Sequence, residues 1–428
     1  SGASQSGFGR TGTVDWVTTP KVTGDSPVTA ATGSGYFLNT TAGAITINLP
    51  AGAAGSIVSM ADYAATWQTN NVTVAANGSE KIGGELADAV VSTKGQSVTF
   101  VYVDGTQGWV NTMDSTSNVR GAAPYIVATG GTPCAGTTCG DYKIHKFTGP
   151  GTFCVSTAAV CAADNLVSYM VVAGGGSGGD GGTTESGGAG GGGGYREVIS
   201  PTAPYSGSPT EGYPSAPNRI TVSATGYPIV VGGGASSSGS SPGGGNTSGV
   251  QGATSTFSTI DSAGGGGGTS GGGSASAGPT GGSGGGGNGR TINSGTAGNT
   301  PPTTPAQGFN GGNGLQAGAY AGGGGGGATA VGGNASSPNI SGSGGTGATT
   351  SISGTPTGYA GGGGGGTRCS SPYPAPATQG GGAGGTGSGP AAGAGTINTG
   401  GGGGGNGGPN SCGGAGGSGI VIIRYKFQ

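Results

Sequence analysis

The sequence predicts an all-β protein in two parts: a small β-sandwich-like module, then a glycine-rich domain of short β-strands and packed polyglycine II rods, with little or no helix. Three observations carry this. Apolar and polar residues alternate with period two in short runs up to Ala173, no segment shows a 3.6-residue period, and glycine is gathered after Met170 into runs of similar length.

Residues 1–24 are small and polar apart from Val14-Asp15-Trp16-Val17, and read as an N-terminal attachment arm that docks through Trp16. Residues 25–120 hold the small β module. Its strands are expected at Gly35–Asn39, Ala44–Leu49, Ser56–Met60, Asn71–Val74, Ser97–Val103 and around Trp109. Asn77-Gly78 and Asp104-Gly105 are turn dipeptides of the hairpin type. Residues 121–428 form the glycine-rich domain, opened by strands at Tyr125–Ala128, Asp141–Phe147, Gly151–Val155 and Val167–Ala173. Later strand-like runs fall at Tyr195–Ile199, Arg219–Val231 with a break at Gly226, and Ile420–Tyr425, so apolar strands bracket the glycine region.

Glycine and serine usually make flexible coil, because ordering each residue costs about 1–2 kcal/mol of backbone entropy. Two features oppose that reading here. The runs Gly190–Gly194, Gly264–Gly268, Gly322–Gly327, Gly361–Gly366 and Gly400–Gly405 are pure glycine, whereas a linker has no reason to separate glycine from serine. In addition, Tyr320-Ala321 and Tyr359-Ala360 each precede six glycines, as tyrosines capping rod ends would. The Gly-X-Y period of collagen is absent. A polyglycine II run of six residues is a straight rod of roughly 19 Å without internal hydrogen bonds. Its amides must pair with neighbouring rods, giving a core made of backbone.

Composition excludes several functions. Of 428 residues, 114 are Gly and only 7% are charged, with a net charge of −2 and 13 scattered basic residues. No basic stripe exists for nucleic acid, and no run of about 18 apolar residues exists for membrane insertion. The one histidine, His145, lies on an alternating strand and has no second His with which to build a metal cluster or triad. The acidic residues are isolated, and the abundant G-x-G-x-x-G matches carry no information at this glycine content. No enzyme, cofactor or metal is expected.

Six cysteines allow 15 pairings, and their spacing lacks the C-x2-C knuckles of a zinc ribbon. Low charge and high Gly and Ser favour an extracellular setting, hence disulfides over free thiols. The preferred pairs are Cys134 with Cys139, Cys154 with Cys161, and Cys369 with Cys412. Receptor-binding candidates are aromatic and Arg side chains in the polar reversals between rods, where rings contact ligands with little entropy lost. These are Tyr205, Tyr213, Arg290, Phe309, Arg368 and Tyr373.

Two stretches resemble phage virion proteins. Residues 14–110, with Val14-Asp15-Trp16, Gly35-Tyr36-Phe37-Leu38-Asn39-Thr40-Thr41 and Ala44-Ile45-Thr46-Ile47-Asn48-Leu49-Pro50, resemble a β module of tailed-phage structural proteins. Tyr169-Met170-Val171-Val172-Ala173-Gly174-Gly175-Gly176, Gly194-Tyr195-Arg196-Glu197 and Gly417 to Tyr425 resemble the glycine-rich domain of phage tail-fibre proteins. In some tail-fibre tip adhesins such a domain displays variable loops that contact the host receptor. The N-terminal module and the cysteines depart from that pattern. The resemblance implies a virion fibre or appendage protein that joins other virion proteins through its N-terminal region and binds a host cell-surface glycan or protein. Alternatives are a purely structural virion decoration and a cellular matrix or ice-binding protein. Fibres are often trimers, so a homotrimer stays open.

Overall fold

The computed structural model describes residues 14–115, 125–182, 185–239, 247–271, 276–290, 293–317, 319–337, 339–368, 375–408 and 412–428. The chain divides into two compact units, residues 1–122 and 123–428.

In the first unit the strands are β1 (Asp15–Val22), β2 (Val28–Thr29), β3 (Ser34–Asn39), β4 (Ile45–Asn48), β5 (Ile57–Asp62), β6 (Val72–Ala75), β7 (Ala89–Val91), β8 (Ser97–Asp104) and β9 (Gly108–Ser115). They form two sheets, ordered β1-β3-β5-β8-β9 and β2-β4-β6-β7. Up to β6 the chain alternates between the sheets, so that β1, β3 and β5 pair in parallel, as do β2, β4 and β6. The alternating residues seen in the sequence point inward to one core holding Leu38, Ile45, Ile47, Met60, Trp67 and Trp109. Two expectations change. The segment read as an arm supplies an edge strand, because Trp16 and its neighbours pair with β3. Asp104-Gly105 does open a tight β8–β9 hairpin, but Asn77-Gly78 lies in a longer connection between β6 and β7.

The second unit begins with a sandwich. Its strands are β10 (Val127–Thr129), β11 (Thr137–Cys139), β12 (Tyr142–Phe147), β13 (Gly151–Thr157), β14 (Ser168–Val172), β15 (Tyr195–Val198), β16 (Gly226–Val230), β17 (Ser255–Phe257) and β18 (Ile260–Ser262). Four short strands follow, β19 (Leu315–Ala317), β20 (Ala319–Ala321), β21 (Ala348–Thr350) and β22 (Thr357–Tyr359), and β23 (Ile420–Lys426) closes the chain. One sheet runs β11-β12-β23-β14-β15 and the other β10-β13-β16-β17-β18. Tyr169, Val171, Val421, Ile423 and Tyr425 face the second sheet across a core with Phe153 and Phe257. Met170, Val172, Ile420 and Ile422 face the other way, onto Tyr195, Ile352, Tyr359 and Ala360. Burial of both faces explains why β14 and β23 are continuous apolar runs.

The strands continue directly into rods. β14 leads into 173–181, 186–194 leads into β15, β16 leads into 232–239, β18 leads into 263–271, and 412–419 leads into β23. The rods are neither strands nor loose coil. Rod 186–194 donates its amides in a repeat of three: Gly187, Gly190 and Gly193 to Asn406, Gly403 and Gly400; Gly188, Gly191 and Gly194 to Thr269, Gly266 and Ala263; Ala189 and Gly192 to Gly323 and Gly326. Its carbonyls accept in the same rhythm from rods around 173–179, 283–286 and 363–366. Three residues per turn with six bonded neighbours is polyglycine II in two-dimensional packing. The two Tyr-Ala-Gly repeats lie side by side and antiparallel, with Gly322, Gly325 and Ala328 donating to Gly366, Gly363 and Ala360.

Packing, not backbone twist, demands glycine. A Cβ at Gly190 would lie 2.1 Å from the Gly176 carbonyl oxygen, one at Gly191 2.3 Å from that of Ser283, and one at Gly325 1.9 Å from that of Gly190. None of the three has a positive φ.

Candidate functional site

Within the second unit the rods have two ends, one fused to the sandwich and one remote from it. At the remote end the last turns are held by polar side chains. Asp180, which ends rod 173–181, is buried and accepts from Asn406 Nδ2 at 2.9 Å and from the Gly182 amide at 3.0 Å. Burial pushes its carboxyl up, against the pull of these hydrogen bonds. Buried Glu185 pairs with Arg290, whose side chain keeps 38% of its surface exposed and whose amide donates to Asn288 Oδ1 at 2.8 Å.

The backbone segments that carry Arg290, Tyr320 and Arg368 lie side by side at this end. A side chain at Gly289 would touch the Tyr320 Cβ at 2.8 Å, and the Arg368 amide donates to the Tyr320 carbonyl at 3.2 Å. Arg368 is exposed and Tyr320 is half-buried. The structure therefore brings together two candidates read from the sequence, through a tyrosine assigned there only a capping role. The other tyrosine of the repeat, Tyr359, is buried at the sandwich end.

The remaining candidates lie elsewhere. Tyr205 packs at the sandwich end against the cluster of Met170 and Tyr195, with the Arg424 guanidinium 5.5 Å from its ring centre. Burial, then the charge of Glu197, pushes its phenol well up. Tyr213 packs against the inter-sheet core beneath the Arg219 guanidinium, 4.3 Å from its ring. Phe309 sits half-buried within a rod, its backbone bonded to Gly284 and Gly327. Tyr373 lies outside the described residues. Sequence reasoning missed the groups that fold the 199–215 loop. Buried Glu197 accepts from Tyr195 Oη at 2.8 Å, the Ser208 amide at 2.9 Å and Thr350 Oγ1 at 2.5 Å, while Glu211 accepts from the Ile199 and Tyr213 amides.

The expected disulfides are corrected where they can be seen: Cys134, Cys139, Cys154, Cys161 and Cys412 are free thiols. Cys139 turns toward Ile144 and Gly354 while Cys134 is exposed, and Cys154 faces outward from β13 opposite Gly226. Cys369, and with it the third pair, lies outside the described residues. Among the described residues no group of three or more His, Cys, Asp or Glu side chains could hold a metal ion, and no helix is long and apolar enough to cross a membrane. His145 is fully buried between the Gly130 carbonyl, 2.7 Å from Nδ1, and the Tyr425 hydroxyl, 3.1 Å from Nε2.

A family model described as a glycine-rich domain matches residues 148–426, which takes in the sandwich from β13 onward and the rods. The chain belongs to this glycine-rich domain family. No curated protein matches the chain. In the glycine-rich domain seen here the larger polar and charged side chains stand at rod ends and on outer rods, while inner rods carry mostly glycine with occasional small residues such as Ser177 and Ala189.

Proposed function

We propose that the chain is a phage virion fibre or appendage protein that mediates attachment to a host surface through the end of its glycine-rich lattice remote from the sandwich. The observation that carries this reading is that the segments carrying Arg290, Tyr320 and Arg368 lie side by side. A rigid backbone lattice holds the Arg290 side chain, paired with Glu185, and the exposed Arg368 near the Tyr320 ring, where recognition costs little ordering entropy. Guanidinium groups suit carboxylate or phosphate groups, and rings suit sugar faces, both abundant on cell envelopes. The first unit would join the chain to other virion proteins.

The test is saturable binding of the labelled full chain to candidate host cells, beside an Arg290→Ala/Arg368→Ala variant and a Tyr320→Ala variant. The expected result is saturable binding by the native chain, weakened about tenfold in each variant. Absence of saturable binding by the native chain sinks the attachment reading; incorporation into virions without cell binding would then favour a purely structural role.

A further inference from the structure

The sandwich of the second unit is open along one side, where β15 ends one sheet and β18 ends the other. Along β15, Tyr195 packs with Met170 and Ile352 while Val198 packs into the inter-sheet core, which puts Arg196 on the face of Val198. The guanidinium reaches across the open side. Its Nη2 donates to Asn218 Oδ1 and its Nη1 to the Asp261 carbonyl on β18 at 3.5 Å. These bonds leave part of the N–H fork unbonded.

Both partners are neutral, so the charge is held in place without being cancelled. Asn218 is buried, and its amide nitrogen donates to the Gly212 and Thr304 carbonyls at 3.2 and 2.8 Å, which turns its oxygen to the arginine. The Asp261 carboxylate is engaged by Thr256 Oγ1 at 2.7 Å. Other arginines are compensated: Arg290 pairs with Glu185, and Arg219 and Arg424 lie over the rings of Tyr213 and Tyr142. Among the described residues Arg196 has neither a carboxylate within 4 Å nor a ring against it. Burial pulls its guanidinium below the ordinary value, with the Tyr169 phenol and the Asp261 charge opposing the shift. Arg196 lines an open cleft of about 600 Å3 together with Ser215, Thr259, Thr304, Pro217 and Ile260. The hydroxyl groups of Ser215, Thr259 and Thr304 bond to no other group among the described residues. An apolar occupant would strip water from the guanidinium without replacing it, and a cation would be repelled. A planar N–H fork with free hydroxyl groups beside it matches an oxyanion.

We propose that this cleft binds anionic ligands through one oxyanion group, a carboxylate, sulfate or phosphate, seated on Arg196 with Ser215, Thr259 and Thr304 as hydroxyl donors. The site lies on the flank of the sandwich and is independent of the remote rod ends and of the reading given to them.

The test uses the full 15N-labelled chain at constant ionic strength, with acetate, inorganic sulfate and inorganic phosphate as probes and acetamide as an uncharged match for acetate. The readout is the Arg196 Nε–H resonance, assigned by its loss in Arg196→Lys. At least one anion should shift it saturably at millimolar concentrations, which of the three does so identifying the group, and acetamide should not move it. Asn218→Asp and Thr259→Glu each bring a carboxylate within reach of the guanidinium. With the β14 and β23 amide resonances unchanged as proof of fold, each should weaken that anion about tenfold. An Arg196 resonance that no anion moves saturably overturns the proposal, as does a shift by acetamide as strong as that by acetate, or anion binding equally tight in both variants.

Discussion

The side-chain amide of Asn406 donates to the carboxylate of Asp180 at 2.9 Å, joining two rods 226 residues apart in sequence. Both groups are buried, so the pair substitutes for water at the end of the lattice. Burial raises the Asp180 carboxyl above its ordinary 3.8. A raised folded-state value means that this group's stabilising contribution is complete below pH 3.8 and is lost as pH rises through the folded value. Asp180→Asn keeps an acceptor for Gly182 and Asn406 and should raise the melting temperature at pH 7, with the gain vanishing below pH 3.8. Asn406→Ala should instead lower stability by about 1–3 kcal/mol, because it strands the carboxylate. Thermal melts across pH for both variants decide the matter.

Close packing predicts a sharp contrast between glycines. Gly191→Ala must displace the Ser283 carbonyl and should cost about 1–3 kcal/mol in denaturant unfolding. Gly233, at an exposed position of rod 232–239, has nothing within 4 Å of its would-be Cβ. Gly233→Ala should be neutral or stabilise by up to about 1 kcal/mol, by narrowing the unfolded ensemble.

His145 sets an acid limit. Burial holds its imidazole below the usual 6.5, the Gly130 hydrogen bond opposing and the charge of Lys143 adding to the shift. The neutral ring donates from Nδ1 to Gly130 and accepts from Tyr425 at Nε2, a tautomer assigned from the network. With a depressed folded value the unfolded chain binds more protons, so this contribution is complete above pH 6.5 and is lost as pH falls. Melting temperature should drop as pH is lowered from 7 to 5, and the His145→Gln variant, though less stable at pH 7, should show a shallower slope.

Free thiols make a direct chemical prediction. Cys134, Cys154 and Cys161 are exposed and should be alkylated in the native chain without a reducing agent, whereas Cys139, half-buried beside Ile144, should react more slowly. Peptide mass mapping that finds Cys134 linked to Cys139, or Cys154 to Cys161, would refute this assignment.

Much of the fold was legible. Period-two runs located β3 to β6, β8, β12 to β15 and β23, and the pure glycine runs marked inner rods, because a rod with six neighbours meets a carbonyl at most of its Cα positions. Outer rods were hidden. In rod 247–253 only the inward residues Gly249 and Gly252 meet a carbonyl, both at 2.1 Å, and Val250 and Gln251 point away, so the sequence there looks like a loop. The parallel winding of the first unit was equally invisible, since alternation reports which face is buried and not which strand lies alongside. At the candidate site, Arg290 and Arg368 stood out as cations in polar segments. Their link through Tyr320 did not, because it depends on which rods are neighbours.

The continuity of strand and rod has a mechanical meaning. Tension applied at a rod tip passes along unbroken peptide from 173–181 into β14, and from 412–419 into β23. Interrod hydrogen bonds lie across that direction, so a load must shear many of them at once instead of unzipping them singly. The glycine-rich unit should therefore behave as a stiff strut, its resistance set by peptide geometry and almost indifferent to which side chains decorate its outside.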